Sequence, residues 1–416
     1  MRAALVGLLL VLGAPALIAA AEAERVAALA VGPRGPVGPD VPLDDSEKGR
    51  AAKRVTTEGR TAAAVQAACD RATREGAAAV FLPAGEYVFE AEVRVAAGLT
   101  VLGEGAKTVI RTKDKATHLF SAAGGRVRFT RLKLQGAEAG PGTDNDSYGI
   151  SVAGQQNVRI DHCELAGFSY ATNFADEASA QVDHCRIHHN LRDGLGYGVA
   201  LYSGAYVRVT DNEFSQNRHS LASNGALDWS SPKRAGKYLH KTGVRKTHWE
   251  FIHNRVGSND LSPNELCAVD THPGMDGTFV VEGNLFENLR HGVGIRDGSG
   301  LIRGNLFRDL RTRTNFRSCV AVSIRYDTHN NVPVEGCMPH DIQVAGNTFV
   351  NVKDDEKHQV GKAENVTIEG KTVPETRKDG GAPPPIPLLV PMDAEGKLGI
   401  TRRAEGPKPS SGPRGE

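Results

Sequence analysis

Aromatic residues are scarce: Phe, Tyr and Trp make up 6% of the 416 residues, and Trp occurs only twice. Charge of one sign is lacking as well, with 50 Lys and Arg against 49 Asp and Glu, a net charge of +1. That balance leaves no overall field to draw in a polyanion, so nucleic acid is not an expected partner and charge effects must be local. None of the six cysteines (Cys69, Cys163, Cys185, Cys267, Cys319, Cys337) sits in a Cys-x-x-Cys pair, which leaves a zinc or thiol-redox site without support. Beyond Ala20 no stretch is apolar enough to span a bilayer.

Glycine is abundant, at 47 residues, and one short phrase recurs seven times: apolar residue, two spacers, Asn or Cys, one spacer, apolar residue. The copies are Ile160–Cys163–Leu165, Val182–Cys185–Ile187, Val209–Asn212–Phe214, Phe251–Asn254–Val256, Val281–Asn284–Phe286, Ile302–Asn305–Phe307 and Val344–Asn347–Phe349, with a degraded eighth at Ile368–Lys371–Val373. The shortest steps, 22 and 21 residues, mark the period of a solenoid, and the longer steps are the same unit with a loop inserted. If coils stack at strand spacing, roughly 4.8 Å, equivalent positions become neighbours. A buried Asn can then bond the Asn above and below and satisfy its own polar atoms. Cys163 and Cys185 share that position on adjacent coils, where a disulfide and two stacked thiols both fit.

The ends read differently. Met1–Arg2 followed by an apolar run to Ala20 and small-x-small spacing predicts a cleaved leader over residues 1–21; a retained anchor is the competing reading. The mature chain is then expected to be secreted, periplasmic or on the cell surface, free of the membrane. Residues 22–54 read as a flexible linker and residues 376–416 as a Pro/Gly-rich tail outside the fold. Between them, residues 55–375 form the repeat domain. It opens with an Ala-rich helix over Ala62–Arg74, with Ala64, Ala67, Ala68 and Ala72 on one face, expected to cover the open end of the solenoid.

The repeat, together with the helix and Val80-Phe81-Leu82-Pro83-Ala84-Gly85-Glu86-Tyr87, resembles the right-handed parallel β-helix proteins of the pectate-lyase-like group. The resemblance implies an all-β, right-handed, single-stranded parallel β-helix, a pectin-lyase-like solenoid with a short N-terminal capping helix. It is specific for fold and says little about chemistry.

The register also aligns candidate site residues. Six and seven residues past the anchor lie Arg218-His219 and Arg290-His291, a cationic flank. On the strand that follows, the outward slot reads Tyr202, Asn224, Asp270, Arg296 and Arg325, with His272, Asp297 and Tyr326 beside it. The insertions 215–248, 257–278 and 308–341 adjoin this column as groove walls; the first carries Tyr238, His240 and Arg245, with Trp229 and Trp249 available to stack on sugars. These residue types suit proton abstraction at C5 of a uronic acid. An Arg neutralises the carboxylate, a base takes the proton, and an acid completes elimination or epimerisation. Asp270, His272, Arg296 and Arg325 are the catalytic candidates; Tyr202, Arg218, His219, Asn224, Tyr238, His240, Arg245, Arg290, His291, Asp297 and Tyr326 are candidates for substrate binding.

Asp270-Thr271-His272 resembles the Asp-Pro-His motif of mannuronan C5-epimerases, with Thr in place of Pro and Cys267 where that family has Tyr. Arg290-His291-Gly292 with Gly294-Ile295-Arg296 is similar to β-helix alginate and chondroitin lyases. These likenesses imply a lyase or epimerase acting on an acidic polysaccharide. A non-catalytic glycan-binding surface protein and a polygalacturonase-like hydrolase are the alternatives; the hydrolase motif set is missing from the sequence. No metal ligand is assigned. Ca2+ is the one cofactor left open, at Asp144-Asn145-Asp146, where a solvated turn is the simpler reading. A monomer is expected.

Overall fold

The computed structural model describes residues 53–373 except 139, 225–226, 229–236, 239–245, 259–260, 262–266, 312–318 and 327–336; of 227–228 and 237–238 only the backbone is described. The 1–21 leader, residues 22–52 of the linker and the 376–416 tail lie outside the described residues. Within them the chain winds into a solenoid of three parallel sheets, one of 13 strands and two of 10. Each coil contributes one strand to each sheet in turn. One such coil runs through Val158–Asp161, Glu164–Ala166 and Tyr170–Ala175.

Two tight corners per coil produce this path. The residue before each anchor is left-handed: His162, His184, Asp211 and His253 lie at φ 53–57°, and Gly283, Gly304 and Gly346 at 60–64°. A second left-handed corner recurs at His189, Gln216, Asn288, Asp309 and Asn351. Asn, Asp and Gly tolerate this conformation best, so the corner positions are read by backbone rather than by packing.

The anchors stack as expected. Asn212 donates to Asn254 at 3.0 Å, Asn284 to Asn305 at 2.9 Å and Asn305 to Asn347 at 2.9 Å, while each amide also reaches a backbone carbonyl of the preceding coil. Cys163 and Cys185 continue the column as free thiols, each 3.3 Å from a carbonyl oxygen. The apolar positions stack as well: Phe286, Phe307 and Phe349 lie ring on ring at 5.0 and 5.5 Å. A second ladder, Asn190 to Asn217 at 2.8 Å, occupies the other corner and was not read from the sequence.

Three expectations are corrected. The degraded eighth copy is a hairpin: Ile368 pairs antiparallel with Lys371 across Glu369-Gly370, both at positive φ. The helix, Ala62–Glu75, is capped by Thr61, which accepts from the Ala64 N–H at 3.2 Å, and ends at Gly76. It buries Ala62, Val65, Ala68, Cys69 and Ala72; of the four alanines read as one face, Ala68 and Ala72 are buried, Ala64 is half-buried and Ala67 is exposed, because the buried face is one residue round. Trp249, offered as a sugar platform, is fully buried; its indole stacks on Phe279 at 5.3 Å and donates to the Met275 sulfur at 3.3 Å. It is core because its strand position faces inward. Trp229 lies outside the described residues.

Candidate active site

The three outward faces differ. The 13-stranded sheet is laced by ion pairs between coils: Arg128–Asp161 at 2.7 Å, Arg159–Asp183 at 2.8 Å and Arg303–Glu282 at 2.8 Å. One 10-stranded sheet carries Lys133–Glu164 at 3.0 Å and Arg255–Glu287 at 2.7 Å. The other 10-stranded sheet carries aromatic and imidazole side chains instead. Register aligns His118, Tyr148, Tyr170, Tyr197 and His219 on consecutive coils. His118 stacks on Tyr148 at 4.2 Å, and Tyr170 meets Tyr197 edge to face at 5.4 Å. Tyr170, Tyr197, Ala200 and Ala222 make a small apolar cluster separate from the solenoid core.

Where this row ends, the charged centre begins. Asp270 pairs in register with Ala222 and Gly294. The outward column read from the sequence is therefore two residues out at Asp270 and in register at its other four members. Thr271 pairs with Ile295 and Ile295 with Ile324, so the residues that align are Tyr202, Asn224, His272, Arg296 and Arg325. An even slip keeps Asp270 on the same face. It lies one step back, opposite a glycine. A Cβ on Gly294 would come within 2.7 Å of the Cys267 sulfur and 3.3 Å of an Asp270 oxygen, so only glycine leaves room here.

Across that gap Arg296 reaches back to Asp270. Its Nε donates to Oδ1 at 3.2 Å and its Nη2 to Oδ2, while Nε also donates to the Thr271 carbonyl at 3.1 Å. The Thr271 hydroxyl accepts the Arg296 N–H at 2.7 Å. His272 Nε2 stands 3.1 Å from Asp270 Oδ2, and His219 Nε2 stands 3.6 Å from the same oxygen. Burial would raise the Asp270 pKa; the Arg296 charge, with the hydrogen bond from His272, overcomes it and holds the carboxyl far below its usual range. Burial pushes His219 down to about 3, against the pull of Asp270. Burial and then Arg296 lower His272. Both imidazoles are neutral at pH 7.

The remaining candidates divide. Arg218 is bound to this centre through Tyr197, donating to its hydroxyl at 3.1 Å and lying 5.6 Å over its ring. Tyr202 meets the Tyr170 hydroxyl at 3.4 Å. Arg325 is exposed on the coil after Arg296. His291 is held at about 4 by burial and by the charges of Arg290 and Arg325, which marks a cationic patch beside the centre. Asn224 is buried, its carbonyl accepting from the Thr247 hydroxyl at 2.8 Å. Tyr326 lies under the Lys362 ammonium at 5.1 Å.

Asp297 is a correction. It is buried and accepts four backbone N–H groups, from Gly274 at 2.7 Å, Asp276 at 3.1 Å, Gly298 at 2.8 Å and Met338 at 3.2 Å. It holds the turn after His272 rather than a sugar, because both oxygens are engaged inside the fold. Burial, with Asp276 nearby, raises it to about 6. His240 and Arg245 lie outside the described residues, and of Tyr238 only the strand pairing with Leu227 is described. Asp144 and Asp146 are bound to Lys115 and Arg192, each at 3.0 Å, and the Asn145 amide donates to the Gly167 carbonyl at 2.8 Å. Sequence reasoning missed Tyr197 and, though it noted Cys267 and Gly294 within motifs, gave those two no part in the site. The ladder Tyr148–Tyr170–Tyr197, read in register, was the available signal.

Residues 124–307, the coils that carry most of this centre, match the family model described as a right-handed β-helix region. The chain is a right-handed parallel β-helix protein. Among solved structures, this β-helix resembles ORF18 of Geobacillus virus E2 with a TM-score of 0.50 at 14% identity, over 77% of this chain and 62% of that one. It also resembles a tailspike variant of E. coli bacteriophage HK620 in complex with pentasaccharide, with a TM-score of 0.51 at 12% identity, over 74% and 57%. The A-module of the Azotobacter vinelandii mannuronan C-5 epimerase AlgE6 overlaps with a TM-score of 0.42 at 15% identity, over 74% and 94%. The β-helix thus spans about three fifths of the length of the two viral proteins. No curated protein matches the chain. Likeness at this level shows the fold alone. Among the described residues no helix is long and apolar enough to cross a membrane.

Proposed function

We propose that this β-helix is a secreted or cell-surface carbohydrate-active enzyme that acts on an acidic, uronate-containing polysaccharide as a lyase or C5-epimerase. The observation that carries the reading is the buried Asp270 carboxylate shared by His272 and Arg296, at the end of the aromatic row of one 10-stranded sheet. Asp270 accepts from the His272 Nε2–H, which makes Nδ1 the basic nitrogen for the C5 proton. Arg296 is engaged by Asp270, so neutralisation of the substrate carboxylate falls to exposed Arg325, with Arg290 beside His291. The acid is drawn from Tyr197 and Tyr202, which burial keeps protonated. Sugar rings stack along the partly exposed His118–Tyr148 end of the row. The pentasaccharide held by the tailspike is consistent with a glycan as partner.

The hydrolase alternative is less well supported, because it needs two carboxylates facing a sugar. Asp270 is bound by Arg296, and Asp297 is enclosed by amides. The test incubates the protein with alginate, pectate and glycosaminoglycans. Unsaturated-uronate absorbance reads elimination, and exchange of the C5 proton in deuterated water reads epimerisation. Loss of either signal in Asp270→Asn supports the reading. If both are silent on every polymer with the fold intact, the enzymatic reading is withdrawn. Retention on a polysaccharide column that is unaffected by Asp270→Asn but lost in Arg325→Ala then supports a binding-only role.

A further inference from the structure

We propose that His219, Asp270 and His272 form a binding site for a divalent transition-metal ion of the Zn2+ kind. The three side chains each offer one donor atom, all within 4.8 Å of one another, and all three residues are buried. The site does not rest on the polysaccharide reading.

The orientation of His219 carries the inference. Its Nδ1 lies 2.5 Å from the Cys267 carbonyl oxygen, a distance at which that nitrogen donates. In the neutral ring Nε2 then holds the lone pair, and it points at Asp270 Oδ2 from 3.6 Å, two acceptors face to face. A cation between them turns this repulsion into coordination. His272 Nε2 completes the set at 3.1 Å from the same oxygen. A tetrahedral ion with bonds of about 2.0–2.1 Å spaces its ligands about 3.3 Å apart, between these two separations. The surrounding contacts are those of a metal site as well. A backbone carbonyl fixes one imidazole, and Arg296 and Thr271 fix the carboxylate side. Two imidazoles and one carboxylate select Zn2+, Co2+, Ni2+ or Cu2+ over the all-oxygen preference of Ca2+. For His272 to bind through Nε2, its proton must sit on Nδ1. The ion and the uronate proton therefore compete for one imidazole, and the metal is expected to inhibit rather than to assist.

The full chain, treated with chelator and dialysed, is titrated with Co2+ and then Zn2+. One equivalent of Co2+ with a visible d–d band of tetrahedral intensity, displaced by Zn2+, is expected. His219→Gln should weaken binding at least tenfold with an unchanged circular dichroism spectrum. His184→Ala, on the exposed His162–His184 stack, should not change it. Absence of a stoichiometric site in the folded chain, full affinity retained in His219→Gln, or binding lost in His184→Ala overturns the proposal. Polysaccharide turnover by the chelator-treated chain is scored separately, so the proposed activity can fail or stand without deciding the metal site.

Discussion

Asp270 sits opposite a glycine and beside an arginine, and the consequences can be weighed residue by residue. Removing one member of a buried ion pair leaves the other charge uncompensated, at a cost of about 3 kcal/mol. Asp270→Ala should therefore lower urea stability by about that amount, and Asp270→Ala combined with Arg296→Met should recover much of it; equal losses in the single and double variants would mean the pair is not coupled. Gly294→Val tests the gap from the other side. Its side chain would meet the Cys267 sulfur and the Asp270 carboxylate, so turnover or glycan retention should fall at least tenfold while the melting temperature changes less than in Asp270→Ala. A third prediction concerns His248, far along the first sheet. Burial holds it at about 3, and it lies 2.8 Å from the Thr278 hydroxyl. Its folded pKa is below its unfolded value near 6.5, so its contribution is complete above pH 6.5 and is lost as pH falls towards 3. His248→Gln should flatten stability against pH in that window by about 1.4 kcal/mol per pH unit in urea titrations. At this scale the sequence identified Asp270, His272 and Arg296 but placed Asp270 in the wrong slot. The slip arises because the 257–278 insertion hides how many residues lie between corner and strand.

Ladders are the unit of stability at the level of the element. Asn284 accepts from the Asn254 backbone N–H at 2.7 Å and donates to Phe251 and Asn305 at 2.7 and 2.9 Å. Its replacement leaves buried groups on two coils without partners, each worth about 1–3 kcal/mol. Asn284→Leu should accordingly cost about 3 kcal/mol in denaturant titrations, and Asn347→Leu, at the half-exposed end of the ladder, less than half of that. Equal costs would argue against vertical cooperation. The ladder was legible because its spacing survives every insertion. The aromatic row of Tyr148, Tyr170 and Tyr197 was not, because those residues follow the second corner, whose distance from the anchor varies with the coil.

For the whole molecule, a solenoid has two exposed ends and three faces, and each must be closed or used. The capping helix closes the first end by burying Val65, Ala68, Cys69 and Ala72 on the core. The hairpin at Thr367–Thr372 turns the last strand back on itself at the other. Deleting residues 1–77, which removes the paired strand Arg54–Thr56 together with the helix, should expose the strand at Ala79–Phe81 and yield aggregates in size-exclusion chromatography, whereas a monodisperse product would show that this cap is dispensable. Two faces are laced by ion pairs along several coils, whereas the third carries the aromatic row and the Asp270–Arg296 pair beside it.

Spacing alone determined that this chain stacks coil on coil, which residues form the spine and where the cap lies, because a periodic fold writes its period into the sequence. Tertiary structure alone decided which side chains of neighbouring coils touch. His219, Asp270 and Arg296 are separated by 51 and 26 residues along the chain, and they meet only because three coils bring their strands into lateral register. Such contacts depend on the register between coils, and inserted loops remove that information from the linear text.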